Sequence, residues 1–289
     1  MIALSEVFVF ILYIILALYL IALLATLILY VVAWYDYVNF RVNKPDTGVW
    51  RGEIRTGKMI LCVFLESVAM FFHGITQPLR YIFDRISPKK VADSRPPILF
   101  VHGWSSGSHA FMLISRYLKA KGFKNLYTMT HRPVMADIEW LAQKVADRIN
   151  QVLEETQAEQ VNIIAHSMGG LLSRYAIKNL YMEDKVNLLI SLGGPHMGTR
   201  VAALMPYGEN ALQMLYESDF MKTLAEGGMT SGNVKCVAIY SAFDNFVIPQ
   251  ESGSLGENAV NHKLSFHGHI RLLYSHKVNR LIREALESE

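Results

Sequence analysis

The sequence predicts an α/β domain with an open, mostly parallel sheet, preceded by an N-terminal transmembrane helix. Two observations carry this prediction. One apolar run fills most of the first 40 residues, and beyond residue 95 short apolar runs alternate with longer amphipathic stretches. We therefore divide the 289-residue chain into an anchor (residues 1–40), a basic juxtamembrane region with a second apolar helix (41–94) and a globular domain (95–289).

The first apolar run covers residues 7–35 and contains no charged residue, glycine or proline. As a helix it would be about 43 Å long at ~1.5 Å per residue, longer than a hydrocarbon core of roughly 30 Å. A cleaved signal peptide begins with basic residues, but the first Lys or Arg here is Arg41. The sequence therefore predicts a retained anchor, with a buried core helix as the alternative. Aromatic residues cluster where the helix would leave the hydrocarbon: Tyr30, Trp34, Tyr35, Tyr37 and Phe40.

Positive charge is concentrated beside this anchor. Residues 41–95 hold ten Lys and Arg against five Asp and Glu, whereas residues 96–289 hold eighteen of each. Such a zone suits anionic lipid headgroups, with a solvated linker as the alternative, and nothing in it indicates a nucleic-acid groove. By the positive-inside tendency this flank is cytoplasmic, in what we expect to be a bacterial inner membrane. The basic residues that follow the run closely are Arg41, Lys44, Arg51, Arg55 and Lys58.

A second apolar segment, residues 59–72, is interrupted by Glu66. Its length is more typical of an interfacial or packed helix than of a span, although extension to Leu79 would allow crossing. A charged residue such as Glu66 near the middle of a span would cost about 2.5–3.5 kcal/mol on insertion scales unless it is paired. We therefore expect this segment to lie at the membrane interface and the globular domain to face the cytoplasm.

Residues 86–97 form a polar, proline-ended linker, so we place the domain boundary near Asp93. Six short apolar runs follow, as expected for strands buried on both faces of a parallel sheet. They are "PPILFVHGW", "NLYTMTHRP", "VNIIAHS", "NLLISLGGP", "VKCVAIYSAFD" and "HKLSFHGH". Residues 137–156 predict an amphipathic crossover helix, because their apolar residues recur at helical spacing.

Cofactor and metal sites are not indicated. The two cysteines, Cys62 and Cys236, do not suggest a disulfide framework, and the ten histidines show no metal-ligand spacing. We therefore expect neither a cofactor nor a metal.

Ser167, in "VNIIAHSMGG", follows a predicted buried strand and precedes a predicted helix. A tight strand-to-helix turn of this kind exposes the serine and needs small neighbours, which Ala165, Gly169 and Gly170 provide. The pattern is A-x-S-x-G rather than G-x-S-x-G, and alanine still leaves room for the turn. Ser167 is therefore a candidate nucleophile, provided that a base, an acid and oxyanion donors lie beside it.

The other groups are sought at the ends of strands. The backbone N–H groups of Met168 and of Trp104, in "VHGW", are candidate oxyanion donors, with an ordinary glycine turn as the alternative at Trp104. Asp244 directly follows an apolar run and is the candidate acid, ahead of Asp184 and Asp219, which follow no strand. In this chain order the base comes last. The candidates for it are His267, His269 and His276.

Over residues 97–286 the chain resembles the α/β-hydrolase lipases, most closely the small bacterial triacylglycerol lipases, in "AHSMGG", "VHGW", "GGPHMGT", "YSAFDNFVIP" and "GHIRLLYSHKVNRLIREAL". In that family the catalytic histidine lies in G-H-x-x-L-L, which here is Gly268-His269 followed by Leu272-Leu273. The resemblance thus favours His269 over His267, which we expect on the strand, and over His276, which we expect in the last helix. His196 and Gly198 match a turn that shapes the site without performing chemistry.

Residues 199–232 form an insert that the smallest family members lack. We expect it to be either a lid over the serine or part of the core, since several of its apolar residues could form one face. These are Ala211, Leu212, Leu215, Phe220 and Leu224.

Together, the residues and the resemblance predict a membrane-anchored serine hydrolase that cleaves carboxylic esters of lipids through an acyl-enzyme, with triglycerides and phospholipids as open alternatives for the substrate. Ser167 is the expected nucleophile, His269 the base and Asp244 the acid that orients it. An acyltransferase or thioesterase would use the same residues. A non-catalytic membrane scaffold is the alternative from another class.

Overall fold

The computed structural model describes residues 4–41, 58–83, 91, 93–205, 208–228 and 234–288. In this part of the chain the helices, in order, are α1 (Leu4–Asp36), α2 (Lys58–Thr76), α3 (Arg80–Phe83), α4 (Met112–Ala120), α5 (Ile138–Thr156), α6 (Met168–Asn179), α7 (Glu209–Gln213), α8 (Asp219–Ala225) and α9 (His276–Glu287). The strands are β1 (Ile98–Val101), β2 (Leu126–Met129), β3 (Val161–His166), β4 (Val186–Leu192), β5 (Lys235–Ser241) and β6 (Val260–Leu264).

The six strands form one sheet in the order β2-β1-β3-β4-β5-β6, and every neighbouring pair is parallel. Each of the six apolar runs therefore overlaps a strand, and the predicted α/β fold with a parallel sheet is confirmed. The carboxyl ends of parallel strands lie at one edge of the sheet. The residues that follow β1, β3 and β5 are consequently brought together there.

Helices cover both faces of the sheet because successive side chains along a strand point to opposite faces. In β3, Ile163 packs in the cluster with α5 and α6, whereas its neighbour Ile164 packs in the cluster with α4 and α9. The crossover helix predicted for residues 137–156 is confirmed as α5. Asp137 begins it as an N-cap, where its side chain accepts a hydrogen bond from the N–H of Trp140.

The last strand departs from the prediction of strands buried on both faces. In β6 only Leu264 is buried, and Val260 is 56% exposed. This strand lies at the edge of the sheet and pairs with β5 alone, so one side of it lacks the cover that the central strands have.

The long helix α1 has two parts with different surroundings. Residues 5–18 are exposed, whereas residues 19–36 pack against α2 and the domain. Tyr30 and Ala33 are buried in a cluster with Val201 and Phe243, and the Tyr30 hydroxyl donates a hydrogen bond to the Phe243 carbonyl at 3.2 Å. At the end of α1, Asp36 pairs with Arg200 at 3.0 Å. The second half of α1 is thus docked on the domain.

The helix α2 also has two different faces. One face is buried and includes Glu66 and Ser67. The other presents exposed apolar side chains at helical spacing, namely Ile60, Phe64, Val68 and Ile75. By length and composition alone, two segments of the described chain could cross a membrane, Ser5–Phe40 and Lys58–Ile82.

Part of the predicted basic zone lies outside the described residues. This holds for Lys44, Arg51 and Arg55, and for most of the linker before Asp93.

Candidate active site

Ser167 is the single residue between β3 and α6. Its φ of 56° and ψ of −131° place it in a backbone region that non-glycine residues rarely adopt, as expected for a sharp turn that exposes a side chain. The turn requires small neighbours. A Cβ on Gly169 would overlap the Val101 carbonyl oxygen, and one on Gly170 would overlap the Ser191 hydroxyl. Gly169 and Gly170 thus leave the room that the sequence analysis expects for this turn.

His269 and Asp244 form a buried pair. His269 Nδ1 lies 2.8 Å from Asp244 Oδ2, and both side chains are almost inaccessible, at 3% and 2% exposure. A carboxylate accepts hydrogen bonds, so Nδ1 carries the proton and Nε2 is left with a lone pair. The other oxygen, Asp244 Oδ1, accepts the N–H groups of Phe246 and Val247, both at 2.8 Å. These bonds fix the carboxylate so that Oδ2 faces the imidazole.

Ser167 and His269 line the same cavity, and its wall is mainly apolar. A mainly apolar wall with a few polar groups is typical of small-molecule sites. Its other members come from several loops: His73, Gly103, Trp104, Ser106, His166, Met168, Pro195, Thr199, Val201, Met205, Met214, Phe246, Val247 and Ile270.

The two candidate oxyanion donors border this cavity. Met168 is the first residue of α6, where a backbone N–H has no acceptor within its own helix. Trp104 follows Gly103, which approaches the serine so closely that a Cβ there would lie 2.7 Å from the Ser167 Cβ. The loop after β1 is thus held against the serine turn. That the two N–H groups bind an oxyanion stays a prediction.

The rival acids and bases lie elsewhere. Asp184 is exposed, and Asp219 is a fully exposed residue in the first turn of α8. His276 begins α9 on the surface. His267 bonds through Nδ1 to the Ser265 carbonyl and through Nε2 to the Ser275 hydroxyl, both at 2.8 Å, so its two ring nitrogens have structural partners.

One expectation about the rival base was wrong. His267 does not lie on the last strand, because β6 ends at Leu264. The chain turns at Phe266, whose φ of 57° is incompatible with a strand.

The "GGPHMGT" turn makes structural contacts next to the site. His196 Nε2 lies 2.8 Å from the Ser191 hydroxyl, and the His196 carbonyl accepts a hydrogen bond from the Arg174 guanidinium at 2.7 Å. Gly198 has a φ of 84°, and a Cβ there would overlap the Leu215 carbonyl oxygen. These contacts are structural, which agrees with the role that the resemblance implies for His196 and Gly198.

The insert at residues 199–232 is partly core and partly cavity wall, with residues 206–207 and 229–232 outside the described chain. Ala211 and Leu224 are buried, whereas Leu212 is 61% exposed, so the five predicted apolar residues do not form one covered face. Met205 and Met214 line the cavity. Whether the insert moves as a lid stays a prediction.

Three residues at the site were not predicted from the sequence. Asn245 Oδ1 accepts the backbone N–H of His269 at 3.0 Å. From α2, His73 lines the cavity, and the Glu66 carboxyl accepts the N–H groups of Ile270 and Arg271 at 2.9 and 3.0 Å. The charge of Glu66 inside an apolar run was a signal that it needs a partner. The partner itself, 204 residues away, was not visible in the sequence.

Several histidines around the site are buried without a carboxylate partner. Burial lowers the pKa of His102 and His166 well below its ordinary value, and neighbouring histidines lower it further. Burial likewise lowers the pKa of His131, whose ring stacks on that of His102 with centroids 4.2 Å apart. These side chains are therefore neutral at neutral pH. Among the described residues, no group of three or more His, Cys, Asp or Glu could hold a metal ion.

A curated relative, GPI inositol-deacylase B of Yarrowia lipolytica, is 23% identical over 242 residues, which is 69% of this chain and 25% of that protein. The chain therefore spans about a quarter of that relative.

Solved structures show a similar fold. Lipase B of Aspergillus fumigatus matches with a TM-score of 0.59 and 21% identity, covering 68% of this chain and 53% of that one. The mature lipase BlEst2 of Bacillus licheniformis matches with a TM-score of 0.60 and 16% identity, covering 70% and 96%. The family model for lipase (class 2) matches residues 95–279. The chain therefore belongs to the class 2 lipase family, and its domain has the α/β-hydrolase fold.

Proposed function

We propose that this protein hydrolyses carboxylic esters of lipids through an acyl-enzyme, using Ser167, His269 and Asp244. The observation that carries the proposal is the arrangement of these residues. A half-buried serine on a strained turn shares a cavity with a histidine, which an aspartate fixes in one tautomer.

In this mechanism His269 Nε2 takes the proton of the Ser167 hydroxyl as the oxygen attacks the ester carbonyl. The negative charge that develops on the carbonyl oxygen is stabilised by the N–H groups of Trp104 and Met168. His269 then gives its proton to the departing alcohol. Water, activated by the same imidazole, attacks the acyl-enzyme, releases the carboxylic acid and restores Ser167. No cofactor takes part in these steps.

Lipid esters are the proposed substrate class because the cavity wall is mainly apolar and the chain carries a long apolar helix. The names of the similar proteins point the same way, since two are lipases and one is an inositol-deacylase. Phospholipids belong to the same proposal. An acyltransferase or thioesterase would share the first half-reaction and differ in the acceptor or in the bond that is cleaved.

The experiment that tests this proposal is labelling of the full-length protein with a fluorophosphonate, followed by mapping of the modified residue. We expect modification at Ser167 and at no other serine. Ser167→Ala should abolish labelling and remove nearly all ester hydrolysis, with a residual rate of about 10³- to 10⁴-fold over the water reaction from oxyanion donors and binding. Ser173→Ala is a matched control, because that buried hydroxyl bonds only within α6, to the Gly169 carbonyl. Normal turnover by Ser167→Ala would contradict the assignment, and a complete lack of labelling would favour the scaffold.

We further propose that α1 crosses the membrane once and that the domain lies on the cytoplasmic side. The basic residues after α1 support this orientation, and the second half of α1 is docked on the same domain. In the proposed arrangement α2 does not cross, because Glu66 is engaged by the domain. When the chain is expressed in a bacterial inner membrane, protease added to intact spheroplasts should leave the domain uncut. Degradation of the domain with unbroken membranes would refute this placement.

A further inference from the structure

Glu66 lies on α2, outside the residues 95–279 that match the lipase family, yet it contacts the loop of the proposed catalytic histidine. Its two carboxyl oxygens accept two consecutive backbone N–H groups. Oε1 accepts from Ile270 at 2.9 Å, and Oε2 accepts from Arg271 at 3.0 Å. The side chain is completely buried. A helix from the membrane-associated region thus reaches the residues directly after His269.

The loop needs these acceptors because of its own geometry. A short 3-10 helix, Ile270–Tyr274, begins directly after His269, and the first N–H groups of a helix have no acceptor inside it. Asn245 Oδ1 accepts the N–H of His269, and Glu66 accepts the next two. Three successive N–H groups are therefore satisfied by side chains from other parts of the chain. Without Glu66, two of these partly buried N–H groups would lose the acceptor that they have in the structure.

Gly268 shows that the loop and Glu66 fit one another closely. The three heavy atoms nearest to a Cβ placed on Gly268 all belong to Glu66, and each would overlap it. Gly268 is not among the glycines with a positive φ, so its backbone conformation is open to other residues. The space that Glu66 occupies is what requires glycine beside the proposed catalytic histidine.

We propose that Glu66 is a positioning residue for His269. It fixes the backbone on the C-terminal side of His269, while Asn245 fixes the His269 N–H and Asp244 fixes the imidazole. The imidazole is then held at the cavity that Ser167 also lines. This inference rests on the proposed function, and it makes α2 a part of the active site.

The test uses full-length Glu66→Gln and Glu66→Ala with a soluble short-chain ester, and it measures kcat and KM separately. Glutamine keeps the size of the side chain but offers one oxygen acceptor, and its NH₂ group faces the other N–H donor. We therefore expect kcat to fall about tenfold in Glu66→Gln and about a hundredfold in Glu66→Ala, with KM within about twofold of the wild-type value. The rate of fluorophosphonate labelling at Ser167 should fall in parallel, since it depends on the same base.

Ser67→Ala is the matched control. Ser67 is buried next to Glu66 on α2, but its hydroxyl bonds to Tyr19 on α1 and to the Phe64 carbonyl. We expect Ser67→Ala to keep the wild-type kcat and labelling rate. Equal losses of kcat in Ser67→Ala and Glu66→Gln would overturn the proposal, because they would show a general effect of disturbing α2.

Gly268→Ala provides a second, independent arm. Alone, it should lower kcat about as much as Glu66→Ala, because the added methyl group displaces the carboxyl. In the Glu66→Ala background, where that space is free, it should cost less than threefold. If the losses of kcat caused by Gly268→Ala and by Glu66→Ala simply multiplied in the double variant, the proposal would be overturned. A raised KM with unchanged kcat in the Glu66 variants would also overturn it. Failure of the proposed function would look different, because wild-type Ser167 would then not be labelled.

Discussion

The two halves of α1 have similar apolar composition but different surroundings. Residues 5–18 are exposed along their whole length, whereas Tyr19, Thr26, Tyr30 and Asp36 in the second half have polar partners within the protein. Hydropathy therefore identifies the helix but does not separate a surface for lipid from one for protein. The polar groups that find partners elsewhere in the protein mark the part that is docked.

The largest expected effect that bears on this comparison is the loss of activity on replacing His269, in the loop that Glu66 contacts. If the docked helices support the active site, the histidine beside the Glu66 contacts must be the one that acts as base. We expect His269→Ala to lower kcat/KM by about 10⁴-fold or more, and His267→Ala to change it by less than about threefold, since triad members act as a unit. Steady-state kinetics with one soluble ester checks both. If His267→Ala were the inactive variant, His267 would be the base, and the contacts that Glu66 makes directly after His269 would not support the catalytic histidine.

A second, smaller effect is the pH dependence of stability. It should come from buried histidines in the domain under the docked helices and not from the exposed half of α1. Burial lowers the pKa of His102, His131, His166 and His196, whereas an unfolded chain titrates near the ordinary value of about 6.5. The unfolded state therefore binds more protons below that pH. Stability that is fully present above about pH 6.5 should be lost as the pH falls toward 5, by up to ~1.4 kcal/mol per pH unit for each histidine.

Denaturant unfolding at several pH values measures this loss. His131→Gln should make the dependence on pH shallower, because it removes one of the histidines whose pKa burial lowers. His276→Gln should not, since His276 lies on the surface. Stability that is unchanged between pH 7 and pH 5 would contradict the buried, neutral state of these rings.

The smallest effect compares the halves of α1 directly. Ala33 is 1% exposed within the cluster of Tyr30, Val201 and Phe243, whereas Ala17 is exposed. Ala33→Leu should lower the free energy of unfolding of the detergent-solubilised protein by about 1–3 kcal/mol, because the surrounding side chains leave no space for the larger leucine. Ala17→Leu adds the same atoms in open space and should leave it unchanged. Equal effects would show that the second half of α1 is not docked.

The parts of this protein that were predicted from sequence are those whose determinants are local. The Ser167 turn is encoded by an apolar run, small residues and a helix within a dozen positions, and Asp244 directly follows the buried run of β5. The Glu66 contact with Ile270 depends on packing between distant segments, so composition showed only the need for a partner. The position of His267 was misjudged because Phe266 ends the extended backbone two residues after β6.

If α1 crosses a membrane as proposed, the exposed half of α1 also limits which lipids the proposed active site can reach. Its 14 residues form a helix of about 21 Å, which is shorter than a hydrocarbon core of roughly 30 Å. A single span must therefore draw the docked half, and with it the exposed apolar face of α2, into the bilayer surface. The domain would then lie directly on the membrane surface and would not be held away from it by a linker. Its substrates would be molecules diffusing in the same leaflet, and vesicles offered from outside would be cut only after fusion or lipid exchange.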